Sequence, residues 1–226
     1  MKIYIKKLLP TIVKKKYLPY WYLLKQENQI FWGKFKRFFL RPPFPKVDEN
    51  KKYLHIGCGH INAPQFINID GFPLPHIHYV RELDDLGVFM DSSIDLIYAC
   101  HCLEHFSYDR INGVLSEWFR VLKKGGILRI SVPDFDLLLN IYYENYKNID
   151  LIIPPLLGGG NIKYNVHLSV FNKSSLEKKL INTGFYYVQD WIPGSCELTT
   201  FNDWSAREIT INGKNYPVSL NIEAIK

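Results

Sequence analysis

The chain has 226 residues, 47% of them apolar and 22% charged, which suits one ordinary domain with an extension and excludes a disordered composition. The net charge of +6 is unevenly spread: residues 1–46 hold twelve Lys or Arg against the single acid Glu27, whereas residues 47–226 carry more acids than bases. No apolar run approaches the roughly eighteen residues of a membrane span.

The basic segment, residues 1–50, reads as an arm with a proline-rich linker. Its basic runs are Lys6-Lys7, Lys14-Lys15-Lys16 and Lys34–Arg37, interleaved with Tyr17, Tyr20, Trp21, Tyr22, Phe31, Trp32, Phe35, Phe38 and Phe39. On a helix Phe31, Phe35, Phe38 and Phe39 share one face, with Lys34, Arg37 and Arg41 on the other. Pro42, Pro43 and Pro45 then stop the helix.

From residue 51 to 226 the pattern alternates between strand and helix. Tyr53–Ile56, Phe66–Ile69, Ile77–Val80 and Ile94–Ala99 read as strands. Ser107 is expected to cap a helix whose Ile111, Val114, Leu115, Trp118 and Leu122 share a face, ended by Gly125-Gly126. Ile127–Val132 reads as a strand halted by Pro133, followed by a helix over 135–146. Ser174 and Glu177 spell a capping box for a helix ending near Gly184. Phe185–Trp191 and Val218–Ile225 close the set, which predicts an α/β fold with a doubly wound, mostly parallel seven-stranded sheet.

In such a sheet ligands bind beyond the carboxyl ends of the strands, where the winding reverses. Gly57, Gly59, Asp70, Asp85 and His101–His105 fall on that edge. Glycines there bring the backbone close to a ligand and expose amide donors. Asp70 suits two ribose hydroxyls, Asp85 an adenine amino group, and Leu86 the face of the ring. The third glycine of a dinucleotide fingerprint is replaced by Asn62, which favours a nucleoside without phosphates over a nicotinamide cofactor. About a dozen residues separate Gly57 from Asp70, so the first crossover has room for a very short helix or a loop.

Leu54-His55-Ile56-Gly57-Cys58-Gly59, then Phe66–Asp70, then Ser93–Tyr98 with His101-Cys102-Leu103-Glu104-His105-Phe106, then Arg120–Gly126 with Ile130–Asp134, together resemble the ordered motifs of small class I S-adenosylmethionine (SAM)-dependent methyltransferases. Gly158-Gly159-Gly160, His167–Phe171, Gly184-Phe185 and the ending 219–226 resemble the compact methyltransferase-11-like subgroup associated with surface-glycan synthesis. The resemblance covers about residues 51–226. It implies a Rossmann-like fold, SAM as cofactor, and contacts to it from Gly57, Cys58, Gly59, Asp70, Gly71, Asp85, Leu86, Cys100 and His101. It also places the loop after the fourth strand between cofactor and acceptor.

SAM carries its own electrophile, so the protein must align an acceptor and, for a hydroxyl, take up a proton. Histidine suits that role near neutral pH, and His105, His101 and His167 are the candidates. Glu104 holds the charged tail of the cofactor, orients one of these histidines, or starts a helix as a solvated acid. Cys100, His101, Cys102 and His105 do not match the spacing of a zinc site, so no metal is assigned. Tyr142, Tyr143, Tyr164, Trp191 and Trp204 are candidates to pack on a sugar or in the core; His76 and His78 read as exposed loop residues.

The expected function is O-methylation of a sugar or other small polar acceptor in surface-polysaccharide synthesis. A nucleic-acid methyltransferase recruited by the arm, or a non-enzymatic SAM-binding membrane-docking protein, remain as alternatives. The expected partner of the site is a small-molecule or glycan acceptor; residues 1–46 either meet an anionic membrane surface or, ranked equally, pack as a lid on the domain or an oligomer contact, with nucleic acid ranked behind. Cys58, Cys100, Cys102 and Cys196 follow no secretory signal. Reduced thiols and a cytoplasmic place are expected, at the inner face of the cell membrane if the arm docks there.

Overall fold

The computed structural model describes residues 24, 27–45, 51–159, 165–198 and 202–226. The basic runs at Lys6 and Lys14, the aromatics Tyr17 to Tyr22, Gly160 and Tyr164 lie outside the described residues.

Seven strands form one sheet in the order β3-β2-β1-β4-β5-β9-β6. They are β1 (Tyr53–Ile56), β2 (Ile67–Asp70), β3 (Tyr79–Val80), β4 (Ile94–Cys100), β5 (Leu122–Pro133), β6 (Tyr187–Asp190) and β9 (Ser219–Ile225). Neighbours from β3 through β5 pair in parallel, and β9 runs antiparallel to both β5 and β6. The order reverses at β1, which places its carboxyl end and that of β4 at the switch point. An additional hairpin, β7 (Glu208–Ile211) and β8 (Lys214–Pro217), has no counterpart in the sequence reading.

The two faces of the sheet are covered differently. Leu54 and Ile56 of β1, Ile97 and Ala99 of β4, Leu128 and Ile130 of β5, and Ile222 of β9 belong to one large core. Helices α2 (Ile111–Val121) and α5 (Lys173–Thr183) supply the other half of that core through Val114, Leu115, Trp118, Leu176 and Leu180. Trp118 is fully buried, a contribution of roughly 2–3 kcal/mol. On the opposite face Tyr53, Phe66, Leu96, Tyr98 and Trp191 form a smaller aromatic cluster. The described residues 191–198 and 202–207 lie on that face without helix or strand and are held by polar groups. Tyr98 donates to Asp203 Oδ2 at 2.6 Å, Asn221 donates to the Ser205 carbonyl at 3.0 Å, and Arg129 reaches the Glu197 carbonyl. Helix α3 (Phe135–Glu144) packs Leu138 and Ile141 against Tyr216 and Val218, beside the short helix α4 (Ile153–Leu157).

Several local expectations are corrected. Helix α2 starts after Arg110 with no side-chain cap, so Ser107 does not cap it. Leu122 and Gly125-Gly126 lie in β5, because the chain passes from helix to strand at Leu122 without a glycine stop. The capping box of α5 is Asn172 with Ser175, two residues earlier than Ser174 with Glu177, since Asn172 is the residue with extended backbone. The first crossover, residues 57–66, consists of turns, one of the two forms that the short Gly57–Asp70 spacing allowed.

Residues 27–39 form helix α1. Gly33 is its buried contact: a Cβ there would sit 1.9 Å from the Pro73 carbonyl oxygen. Arg37 donates to the His78 carbonyl at 3.3 Å. His78 accepts from the Asn68 N–H at 2.9 Å, so its other nitrogen donates to the Pro43 carbonyl at 3.0 Å. Phe44 stacks on the same ring at 5.2 Å. His78 therefore clasps the linker, and His76 bonds the Gly59 carbonyl at 3.1 Å; neither is the idle loop residue expected. Phe31, Trp32, Phe35, Phe38 and Phe39 stay exposed.

Candidate active site

The edge at the switch point is built first from the turn after β1. Gly57 has φ +67°, and a Cβ there would meet Cys102 Cβ at 2.7 Å, so only glycine fits. Its N–H and that of Cys58 both donate to the Ile69 carbonyl, at 2.9 and 3.4 Å, and the Gly59 N–H donates to Asp70 Oδ2 at 2.8 Å. The amides expected to face a ligand are thus satisfied within the turn. What the turn offers instead is room: at both Gly59 and Gly71 an added Cβ would meet nothing within 4 Å.

Asp70, at the end of β2, is 8% exposed. Its Oδ1 accepts the Phe72 N–H at 2.8 Å and its Oδ2 accepts from Gly59. Each carboxylate oxygen retains a second acceptor position, which fits a pair of ribose hydroxyls. The open ground at Gly59 and Gly71 beside this acceptor fits a nucleoside.

Three of the expected cofactor contacts have other partners or surroundings in the fold. Leu86 is fully buried in the main core, and its N–H donates to Glu117 at 3.1 Å, so it presents no surface to an adenine ring. Leu83 stands closer, its Cδ1 3.3 Å from the position a Gly57 Cβ would take. Asp85 turns to Arg81 at 3.0 Å and lies on the exposed side of that loop. The Cys58 side chain is buried, and burial together with Asp70 pushes its thiol far up, which leaves an inert packing residue. Cys100 stands at the end of β4 with its thiol likewise raised by burial, first of all.

The second part of the site follows β4. His101 holds φ +50°, a left-handed conformation uncommon outside glycine. Its N–H donates to the Ser131 carbonyl at 2.8 Å, and its Nε2 lies 2.8 Å from Ser219 Oγ. A one-turn 3-10 helix, Leu103–His105, then points Glu104 inward and His105 sideways. Segment 165–169 is laid over this turn: the Leu168 and Ser169 N–H groups both donate to the Glu104 carbonyl oxygen, at 2.8 and 3.1 Å. His167 arrives with it. The approach depends on Gly158, where a Cβ would sit 2.3 Å from the Asn165 carbonyl oxygen.

The result is a buried carboxylate among three imidazoles. Glu104 Oε1 is 3.2 Å from His101 Nδ1 and 3.9 Å from His167 Nε2, and the rings of His105 and His167 meet at 5.1 Å. Burial on its own would raise the Glu104 carboxyl, yet the imidazoles of His101 and His105 hold it below its ordinary value. Burial lowers the His167 imidazole, against the pull of Glu104. Sequence spacing grouped His101 with His105; the fold adds His167 and makes Glu104 the common partner. Trp204 lies 5.9 Å from the His101 ring and is partly exposed, whereas Trp191 is core and Tyr142 packs beside the α3 cluster.

Residues 62–130 match the methyltransferase domain family model. No curated protein matches the chain. Among solved structures, a SAM-dependent methyltransferase from Archaeoglobus fulgidus is 19% identical, with 91% of this chain and 99% of that one covered and a TM-score of 0.51. A SAM-dependent methyltransferase from Thermotoga maritima, described as a possible histamine N-methyltransferase, is 16% identical over 95% of this chain and 98% of its own, with a TM-score of 0.50. The 1,6-didemethyltoxoflavin-N1-methyltransferase of Burkholderia thailandensis, solved with 1,6-didemethyltoxoflavin and S-adenosylhomocysteine, is 13% identical over 97% of this chain and 91% of its own, also at 0.50. At these identities the likeness is one of fold, while the family match falls on the residues that carry β2 to β5. Together they show a methyltransferase-domain match over residues 62–130, set in a fold shared with SAM-dependent methyltransferases.

Proposed function

We propose that the protein transfers the methyl group of SAM to a hydroxyl of a sugar or similar small polar acceptor, in the synthesis of a surface polysaccharide. The observation that carries the hydroxyl assignment is the gathering of His101, His105 and His167 around Glu104 at the carboxyl end of β4. An oxygen acceptor has to lose a proton as the methyl arrives, and an imidazole takes it up near neutral pH. SAM supplies the electrophilic methyl. Asp70 would hold the ribose, with Leu83 beside Gly57 as the apolar neighbour of the base. Trp204, exposed beside His101, offers an aromatic face of the kind sugars stack on. The assignment to glycan synthesis rests on the sequence resemblance described above.

Helix α1 favours a place at an anionic membrane surface. Phe31, Trp32, Phe35, Phe38 and Phe39 project from it, with Lys34 and Lys36 on the same exposed helix. Among the described residues no helix is long and apolar enough to cross a membrane. Aromatic rings at the interface and lysines at lipid phosphates would hold such a helix flat on the bilayer.

The test is methyl transfer from labelled SAM to a panel of sugar nucleotides and lipid-linked glycans, beside RNA and small amines. Label on a glycan hydroxyl is the expected result, lost in the Asp70→Ala variant. Transfer to RNA or to an amine instead would overturn the acceptor assignment. Co-sedimentation with vesicles containing anionic lipid, but not with purely zwitterionic ones, is expected for the arm.

A further inference from the structure

Glu104 is a buried carboxylate whose charge is met mainly by the neighbouring imidazoles. Neither carboxylate oxygen has an aligned hydrogen-bond donor among the described residues, although the side chain is 1% exposed. A buried carboxylate left in this way is costly unless a cation accompanies it.

The three histidines do not supply that partner in their neutral forms, because the proton of each ring is committed outward. The His167 Nδ1 faces the Leu156 carbonyl at 3.3 Å, and the His105 Nδ1 faces the Val166 carbonyl at 3.1 Å. A carbonyl only accepts, so both Nδ1 atoms carry the hydrogen and both Nε2 atoms are bare lone pairs. At His101 the logic passes through a serine. Ser219 donates its hydroxyl proton to the Trp204 carbonyl at 2.6 Å, so it accepts from His101 Nε2, and the neutral His101 ring has no second hydrogen for Glu104; only the protonated ring pairs with it. Backbone carbonyls behind imidazole Nδ1 atoms are the outer shell that fixes ring orientation in metal sites.

One ligand atom from each of Glu104, His105 and His167 lies within 4.8 Å of the other two. Tetrahedral ligation at about 2.1 Å sets ligand atoms about 3.4 Å apart, so small side-chain rotations close the cluster on an ion. His105 is half-buried and gives an ion and its water a way in.

We propose that Glu104, His105 and His167 bind one divalent ion of the zinc class, with a coordination position left open. Two imidazoles and one carboxylate without a thiolate suit zinc or cobalt, and three protein ligands leave a fourth place for water or an acceptor hydroxyl. The cysteines that lie nearby in sequence take no part. The site shares residues with the proposed acceptor edge, but its formation requires neither SAM nor acceptor.

The experiment is calorimetric titration of the chelator-stripped full chain with zinc, and with cobalt followed by its visible absorption, both without SAM. One ion per chain is expected, with cobalt bands of a low-symmetry nitrogen and oxygen site. Glu104→Gln and His105→Ala should each weaken binding by about 100-fold or more, while Cys100→Ser leaves it unchanged. Because Glu104 is buried, the half-buried His105 provides the variant that keeps its fold, checked by circular dichroism. Failure of the folded wild type to bind either ion would overturn the proposal, as would binding unchanged in His105→Ala. SAM binding measured separately decides the methyltransferase reading, so either can fail alone.

Discussion

Asp70 and Gly59 are joined by a 2.8 Å hydrogen bond from the glycine N–H to Oδ2, which ties the turn after β1 to the end of β2. The same carboxylate accepts the Phe72 N–H through its other oxygen. Asp70 thus braces the turn and keeps a second acceptor position on each oxygen for the proposed nucleoside.

Removing it should therefore affect both cofactor and fold. The Asp70→Ala variant is expected to bind SAM at least about tenfold more weakly in calorimetry, as loss of a charged acceptor worth about 1.5–3 kcal/mol implies. Its thermal midpoint should fall as well. Asp70→Asn, with one carbonyl oxygen for two N–H groups, should lie between. Wild-type affinity in Asp70→Ala would remove Asp70 from the site.

The two glycines of the turn should respond unequally to alanine. At Gly57 a Cβ combines φ +67° with a 2.7 Å approach to Cys102, whereas at Gly59 φ is +52° and the space is open. Left-handed backbone alone costs about 1–2 kcal/mol, and crowding in a packed site adds about 1–3 kcal/mol. Urea unfolding should show Gly57→Ala destabilised by the larger amount and Gly59→Ala by the smaller. Equal losses would mean that crowding at Cys102 contributes nothing.

His55 is expected to make the protein acid-sensitive. It lies on β1 at 1% exposure between Phe66 and Tyr98, with Nδ1 unpaired among the described residues. Burial lowers its imidazole to about 3, against an ordinary 6.5. Between those values the unfolded chain binds a proton that the folded chain refuses, so stability rises with pH across the window and falls as pH drops from 6.5 toward 3. The loss over the full window is on the order of 4–5 kcal/mol. His55→Phe should flatten the fall in urea stability between pH 6.5 and 4; an unchanged slope would assign the sensitivity to other groups.

The sheet was legible in the sequence because each strand had a local signature. Leu54, Ile56, Ile67, Ile69, Ile94 and Ile97 are β-branched or leucine side chains in short apolar runs, each ended by glycine, aspartate or a polar turn. The short first crossover followed from counting residues between Gly57 and Asp70. Boundaries governed by one hydrogen bond were not legible: Asn172, rather than Ser174, caps α5 because of its backbone angle.

By itself the sequence determined a seven-stranded α/β sheet, the Gly57–Asp70 edge and a histidine-rich loop after β4, since these depend on neighbours in the chain. Only the tertiary structure decided that Leu86 is core and Leu83 faces the turn, because a single residue's rotation in an irregular loop has no periodicity to betray it. It also brought His167 to Glu104 across a separation of more than sixty residues, through Gly158 and the bonds of segment 165–169 to the Glu104 carbonyl. The direction of each imidazole proton was set there too, by carbonyls of Leu156 and Val166 that no sequence pattern marks. Local runs fix what a strand buries; which lone pairs meet in the interior depends on packing between distant segments.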